Sequence, residues 1–301
     1  MSKAGRLLLL SVMSALTIFA PAKINLYLHV TGRREDGYHL LDSLVGFATI
    51  GDRITVGPAP RLEFTLTGPF APLLADGDPN ANLVVRAARA LAAATGRELA
   101  CRIILEKNLP PASGIGGGSS DAAATLLALA MLWDLPSTTL PLADIARGLG
   151  QDVVACLYRR SCMFRGIGDV VDPGPELPPC GVLLVNPVLQ VPTPDVFRAR
   201  RGKFSPPAPL TPPRDLEDLV AQLRVRRNDL YEPAVQLAPE IADCLSAVAA
   251  AEGCLLARMS GSGATCFGLF ADLAQADAAR VALAARRPGW WVAAGAMPFR
   301  G

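Results

Sequence analysis

The sequence predicts an α/β or α+β chain folded in two lobes, and three observations carry that reading. β-rich alternating runs and helix-periodic runs are interleaved along the whole length. A cluster of prolines at 173, 175, 178 and 179 divides the chain into segments 1–172 and 173–301. A glycine-rich loop joins a strand-like run to a strong helix former in the first segment.

The bulk properties narrow the class. The 301 residues are long enough for one or two domains with large cores, and at 51% hydrophobic and 19% charged the chain is globular. A net charge of +2 makes no case for nucleic acid or a membrane surface, so an anionic ligand must meet a local site. Seven cysteines lack any C-x-x-C spacing, and His29 and His39 are the only histidines. That argues against a zinc site or a disulfide framework, and for reduced thiols in a cytoplasmic protein. The apolar run Leu7 to Ala20 follows Lys3 and Arg6 as in a short signal peptide, but it is too short to span a bilayer and has no clean cleavage pattern. Residues 15–19 are read as leading into the first strand, with the preceding residues a dispensable extension.

The elements follow in order. Ile24 to Thr31 alternates as a strand, and Gly32 to Gly37 is a charged loop. Leu44 to Ile50 and Arg53 to Val56 read as two strands separated by a turn at Gly51-Asp52. Arg61 to Thr67 is a further strand, and Leu83 to Ala94 is a helix stopped at Gly96. Cys101 to Lys107 is the strand that delivers the chain to the glycine loop. A helix over Leu140 to Leu149, a strand and turn over Met163 to Asp169, and a buried strand over Gly181 to Asn186 come next. Five prolines between 206 and 213 stiffen a linker or surface loop. Helices near 215–225 and 239–252, a strand over Thr265 to Phe270, a helix at 272–286 and a strand near Trp290 to Ala294 complete the chain.

The loop runs Pro110-Pro111-Ala112-Ser113-Gly114-Ile115-Gly116-Gly117-Gly118-Ser119-Ser120-Asp121. Glycines let backbone approach an anion closely, and the free N–H groups of a helix's first turn point at it. Ser119, Ser120 or Asp121 can cap that turn. The spacing is neither the P-loop nor the dinucleotide fingerprint, and a glycine turn before a core helix is the plain alternative. Four other features stand out. Lys23, in Pro21-Ala22-Lys23-Ile24-Asn25-Leu26, is either a snorkelling lysine or a point charge for a polyanionic reaction. Asp36-Gly37-Tyr38-His39 sets an aromatic ring beside an imidazole, suited to stacking on a base. Asp152 follows a helix, where a cap is the ordinary role. Ser260-Gly261-Ser262-Gly263-Ala264-Thr265 can form an anion-binding nest or a tight turn between strands.

These segments resemble, in order, the motifs of the GHMP small-molecule kinases, over about residue 17 to the last strands. Ile115 stands where that family often has leucine, Gln151 where it has alanine and Val154 where it has proline. The resemblance implies an α+β, two-lobed fold, with a ribosomal protein S5 domain 2-like lobe for ATP and a ferredoxin-like lobe for substrate. It implies that Pro110 to Ser120 wrap ATP, that Lys23 and Asp152 are catalytic, and that Mg²⁺ accompanies the nucleotide, touched by Ser119 or Ser120. The Asp36 to His39 segment points to the branch whose acceptor is a cytidyl-diphosphate alcohol. There Asn25, Tyr38, His39, Thr193, Phe197, Gly261 and Gly263 are expected at the substrate, with Tyr38 and Phe197 sandwiching the cytosine. Arg227-Asn228-Asp229-Leu230 is also a family segment, and Arg198, Arg200, Arg201 and Lys203 read as a solvated basic face. The implied partner is a small molecule, with the chain a monomer or weak homodimer. A kinase of homoserine or mevalonate type, or a non-catalytic nucleotide-binding relative, are the competing expectations.

Overall fold

In the computed structural model, which describes residues 15–136 and 141–300, the chain forms two sheets. The first contains β1 (Leu16–Arg33), β2 (His39–Pro58), β3 (Glu63–Thr67), β4 (Cys101–Glu106), β5 (Cys162–Gly166) and β6 (Val170–Pro173). Its order is β3-β4-β2-β5-β6, with β1 also paired to β2. β1 and β2 are 18 and 20 residues long, and their antiparallel register slips at Pro21/Lys23, Asn25/Tyr27 and Val30/Gly32. Such slips bend a strand and re-aim its side chains. Lys23 and Asn25 sit at two of them.

The expected turn at Gly51-Asp52 is not there: β2 runs straight through it. A Cβ on Gly51 would stand 2.2 Å from the Ala20 carbonyl oxygen, so glycine serves the close approach of β1. Asp52 is fully buried and bonded to the Lys107 ammonium and to the amides of Asn108 and Leu109. A polar pair that imitates a turn in sequence is here a buried tie between strands.

The first segment also holds the helices α1 (Pro72–Ala75), α2 (Leu83–Thr95), α3 (Gly117–Leu132), α4 (Leu142–Leu149) and α5 (Gln151–Tyr158). α2 is capped by the Asn82 side chain and stopped at Gly96, as its sequence predicts. α3 is apolar nearly all round because it is enclosed, packing on β1, β2, α2 and α5. Leu140 of the expected helix lies outside the described residues, as do residues 1–14.

The second sheet has the order β10-β7-β9-β8, from β7 (Cys180–Asn186), β8 (Leu256–Met259), β9 (Cys266–Phe270) and β10 (Trp291–Met297), and all its pairings are antiparallel. With α6 (Thr193–Ala199), α7 (Leu216–Arg224), α8 (Tyr231–Leu237) and α9 (Glu240–Ala249) between β7 and β8, and α10 (Leu273–Arg286) before β10, this is the β-α-β-β-α-β topology of a ferredoxin-like lobe. α6 and α8, of 7 residues each, escaped the sequence reading because two turns are too short for a helical period to show. One apolar cluster, from Ala22 and Leu26 to Leu184 and Met297, spans both sheets and locks the lobes together.

Gly51→Ala should therefore force β1 and β2 apart and cost ~2 kcal/mol of stability. The midpoint of urea unfolding measures it, and an unchanged midpoint would refute the close-approach role.

Candidate functional site

The glycine loop arrives from β4 and must turn into α3 within a few residues. It does so with Ala112, Gly114 and Gly116 all at positive φ, and Gly116 forms the N-cap of α3 without a side-chain cap bond. The expected capping roles of Ser119, Ser120 and Asp121 are therefore corrected. Ser120 is buried and donates instead to the Pro21 carbonyl at 2.8 Å.

The loop is wedged between two neighbours. A Cβ on Gly114 would lie 2.5 Å from the Ser260 carbonyl oxygen and 2.7 Å from that of Gly263. A Cβ on Gly116 would meet the aliphatic stem of Lys23 at 3.0 Å. Backbone bonds complete the seam: Lys23 N donates to Ile115 O at 2.9 Å, and Thr265 N to Ser113 O at 3.1 Å. The Ser260 hydroxyl donates to Gly114 O at 3.0 Å and accepts from Asn25 N at 3.1 Å. Asn228, in the Arg227 to Leu230 segment, holds the 260 turn by donating to the carbonyls of Met259 and Gly261, both at 2.8 Å.

These pieces enclose a cleft of about 860 Å³. Ala112, Ser113, Gly114, Gly116, Gly117, Gly118 and Ser119 line one wall. Pro110, Pro111, Ile115 and Ser120 do not line it; the Ile115 side chain is in the core that spans the lobes. Lys23 lies at the centre, buried, with its ammonium 2.7 Å from Asp152 Oδ2 and 5.2 Å from the Phe164 ring centroid. Asp152, in the first turn of α5, keeps 37% of its side chain exposed. Gln151 and Val154 do not disturb it: Gln151 begins α5 and lines the cleft, while Val154 is buried in the helix.

At the other end, Tyr38, His39, Thr193, Phe197 and Gly261 line the cleft with Asn25. Gly263 does not line it and packs on Gly114. His39 stacks on Phe197 with centroids 5.2 Å apart, and among the described residues no ring contact joins Tyr38 to Phe197. Burial first, then the charges of Arg33 and Arg200, hold the His39 imidazole below its ordinary pKa, so it is neutral at pH 7 and offers one donor and one acceptor. Ser43 orients Asn25. Its hydroxyl donates to Tyr27 O at 2.5 Å, so its oxygen accepts from Asn25 Nδ2 at 2.8 Å. The Asn25 side-chain oxygen Oδ1 is buried without a hydrogen-bond partner.

The sequence reading missed a second ionic cluster, beneath the loop. Lys107, buried, reaches Asp52 at 2.5 Å and Asp121 at 2.7 Å, and a Cβ on Gly117 would lie 3.0 Å from its ammonium. Asp52 Oδ1 takes the amides of Asn108 and Leu109, so the cluster pins the chain where it enters the loop. Three charged residues spaced far apart in sequence carry no motif that could have revealed this. One ammonium cannot balance two carboxylates in a dry site. Burial, above all, pushes Asp121 up to about 8, with Lys107 opposing and Asp52 reinforcing the shift. Its Oδ1 has no hydrogen-bond partner, whereas Asp52 Oδ1 accepts from two backbone amides, so the ionised form is less supported at Asp121 than at Asp52.

A carboxyl with a raised native pKa holds its proton in the folded state where the unfolded chain has lost it. Stability then falls as pH rises from Asp121's ordinary value near 3.8 towards about 8. Asp121→Asn should remove this slope, so the urea midpoint of the variant gains on wild type between pH 5 and pH 8. A constant difference across that range would contradict the assignment.

The pattern of the GHMP kinases N terminal domain matches residues 82–160, and that of the GHMP kinases C terminal domain matches 213–288. A 4-diphosphocytidyl-2-C-methyl-D-erythritol kinase of Paramagnetospirillum magneticum is 51% identical over 93% of this chain and 98% of its own length. One of Cereibacter sphaeroides is 54% identical over 91% of this chain and 96% of its own. The crystal structure of a 4-(cytidine 5'-diphospho)-2C-methyl-D-erythritol kinase, 37% identical, superposes with a TM-score of 0.79 over 95% of this chain and all of that one. The chain belongs to the GHMP kinase family, in its 4-diphosphocytidyl-2-C-methyl-D-erythritol kinase branch.

Proposed function

We propose that this protein transfers the γ-phosphoryl group of ATP to the 2-hydroxyl of 4-diphosphocytidyl-2-C-methyl-D-erythritol, giving the 2-phosphate and ADP, in the non-mevalonate route to isoprenoid precursors. The observation that carries the reading is the Lys23–Asp152 pair, 2.7 Å apart, between a glycine cradle and an aromatic, amide-lined end of one cleft. Phosphoryl transfer needs an in-line hydroxyl, relief of charge on the moving group and a proton acceptor. Asp152, with 37% of its side chain exposed, takes the proton of the alcohol in this reading. Lys23 holds that carboxylate in position and sets a buried positive charge where negative charge develops. The backbone of Ala112 to Ser119, at the N-terminus of α3, cradles the polyphosphate. Phe197 and Tyr38 supply faces for the cytosine, and the neutral His39 and the free Asn25 oxygen supply hydrogen bonds to its edge.

Mg²⁺ is the expected companion of the nucleotide, neutralising charge on the phosphate oxygens when bound. No group of three or more metal-binding side chains occurs among the described residues. The Ser119 hydroxyl, which lines the cleft, would be the protein's contact with such an ion. No described helix is long and apolar enough to cross a membrane. A small-molecule partner and a cytoplasmic setting, with the chain monomeric or weakly dimeric, complete the proposal.

Label transfer from ATP to the cytidyl-diphosphate alcohol, set against homoserine and mevalonate, tests the reading; turnover of either rival in preference would overturn it. Asp152→Ala should lower kcat by ~10²–10⁴-fold while nucleotide still binds. Near-wild-type turnover would remove Asp152 from the mechanism. Phe197→Ala should weaken acceptor binding by ~1–3 kcal/mol through lost stacking, with little change in KM for ATP.

A further inference from the structure

A second cavity, of about 720 Å³, lies in the ferredoxin-like lobe and shares no lining residue with the cleft. It is bounded by the segment after α6, by the Arg226 to Glu232 segment and by β8. Six basic side chains line it: Arg200, Arg201, Lys203, Arg226, Arg227 and Arg258. Against them stand two carboxylates, Asp229 and Glu232. Asp229 is already engaged by Arg227 at 2.6 Å and by the Ser205 hydroxyl. The other five cations make no ion pair among the described residues.

Two of these cations are buried. Arg226 is 9% exposed and Arg258 is 8% exposed. Their guanidiniums are met by backbone carbonyls, Arg258 by Leu26, Leu223 and Arg226, and Arg226 by Gln222, Ala208 and Pro209, and Arg226 also lies over the Tyr27 ring at 5.4 Å. Arg226 Nε is buried with no partner at all, and so is Arg200 Nε. Burial, then the neighbouring Arg226 charge, lowers Arg258 to about 10. The cavity lining thus carries six cations against two carboxylates, one of them already paired. Arginine forks match phosphate oxygens in shape as well as charge.

We propose that this cavity is a second anion site that takes a small diphosphate, held by Arg201 and Lys203 at its mouth and by the field of Arg226 and Arg258 beneath. The exposed basic residues after α6, expected as a solvated face, are instead the rim of a formed cavity. Arg200 links it to the cleft, since it follows the helix that carries Phe197 and its charge bears on His39. The site stands on its own geometry, whatever the cleft phosphorylates.

Inorganic pyrophosphate is the probe. The full chain is titrated calorimetrically at low ionic strength, alone and with a saturating non-hydrolysable ATP analogue. With the analogue filling the cleft and its loop cradle, one equivalent should bind. The Arg201→Gln/Lys203→Gln variant, altered only at exposed positions, should bind it about tenfold more weakly or worse, as loss of charge-assisted bonds requires. The single variant Lys203→Glu should show the same direction if the double variant folds poorly. Absence of saturable binding when the ATP analogue fills the cleft, or unchanged affinity in both variants under that condition, would each overturn the proposal.

Discussion

The docking of a side-chain-free loop between two other backbones is the constraint on which the rest of this structure depends. Gly114 faces the carbonyls of Ser260 and Gly263, and Gly116 lies on the stem of Lys23. No side chain fits at either point. The first contact joins the two lobes, and the second sets the wall of the cleft against its central cation. The 260 turn is itself held by Asn228, and the loop entrance by Asp52, so the cradle is fixed from three directions before any ligand meets it. Pre-organisation of this kind keeps donors in place without reorganisation as charge develops.

The molecule uses lysine–carboxylate contacts in two different ways. Lys23 has one carboxylate partner, and that partner reaches the cleft, where the proposed reaction has it take the proton of the alcohol. Lys107 has two, both sealed from solvent, and one keeps its own proton. The first pair is arranged for chemistry and the second for position. The same distances occur in both, so distance does not separate them; access to the cleft does.

Much of the site was legible in the sequence because it is local. The glycine loop, the Lys23 strand, the Tyr38-His39 pair and the 260 turn are each contiguous, and each needs a residue type with a stated physical purpose. The ferredoxin-like lobe was legible through resemblance and not through periodicity, since α6 and α8 are too short to show a helical pattern. Gly51-Asp52 misled because glycine beside aspartate has the same signature in a turn as in a buried close approach.

By itself the sequence determined the glycine loop at a strand-to-helix junction, because that follows from local spacing and from small residues where backbone must come close, while the roles expected of Lys23 and Asp152 and the order of the lobes came through the family resemblance. Only the tertiary structure decided which charges are buried together. Asp52, Lys107 and Asp121, or Arg226 and Arg258, are brought side by side by sheet pairing and lobe packing. Their energetics depend on shared burial, a property of three-dimensional neighbours that no residue carries in its own position along the chain.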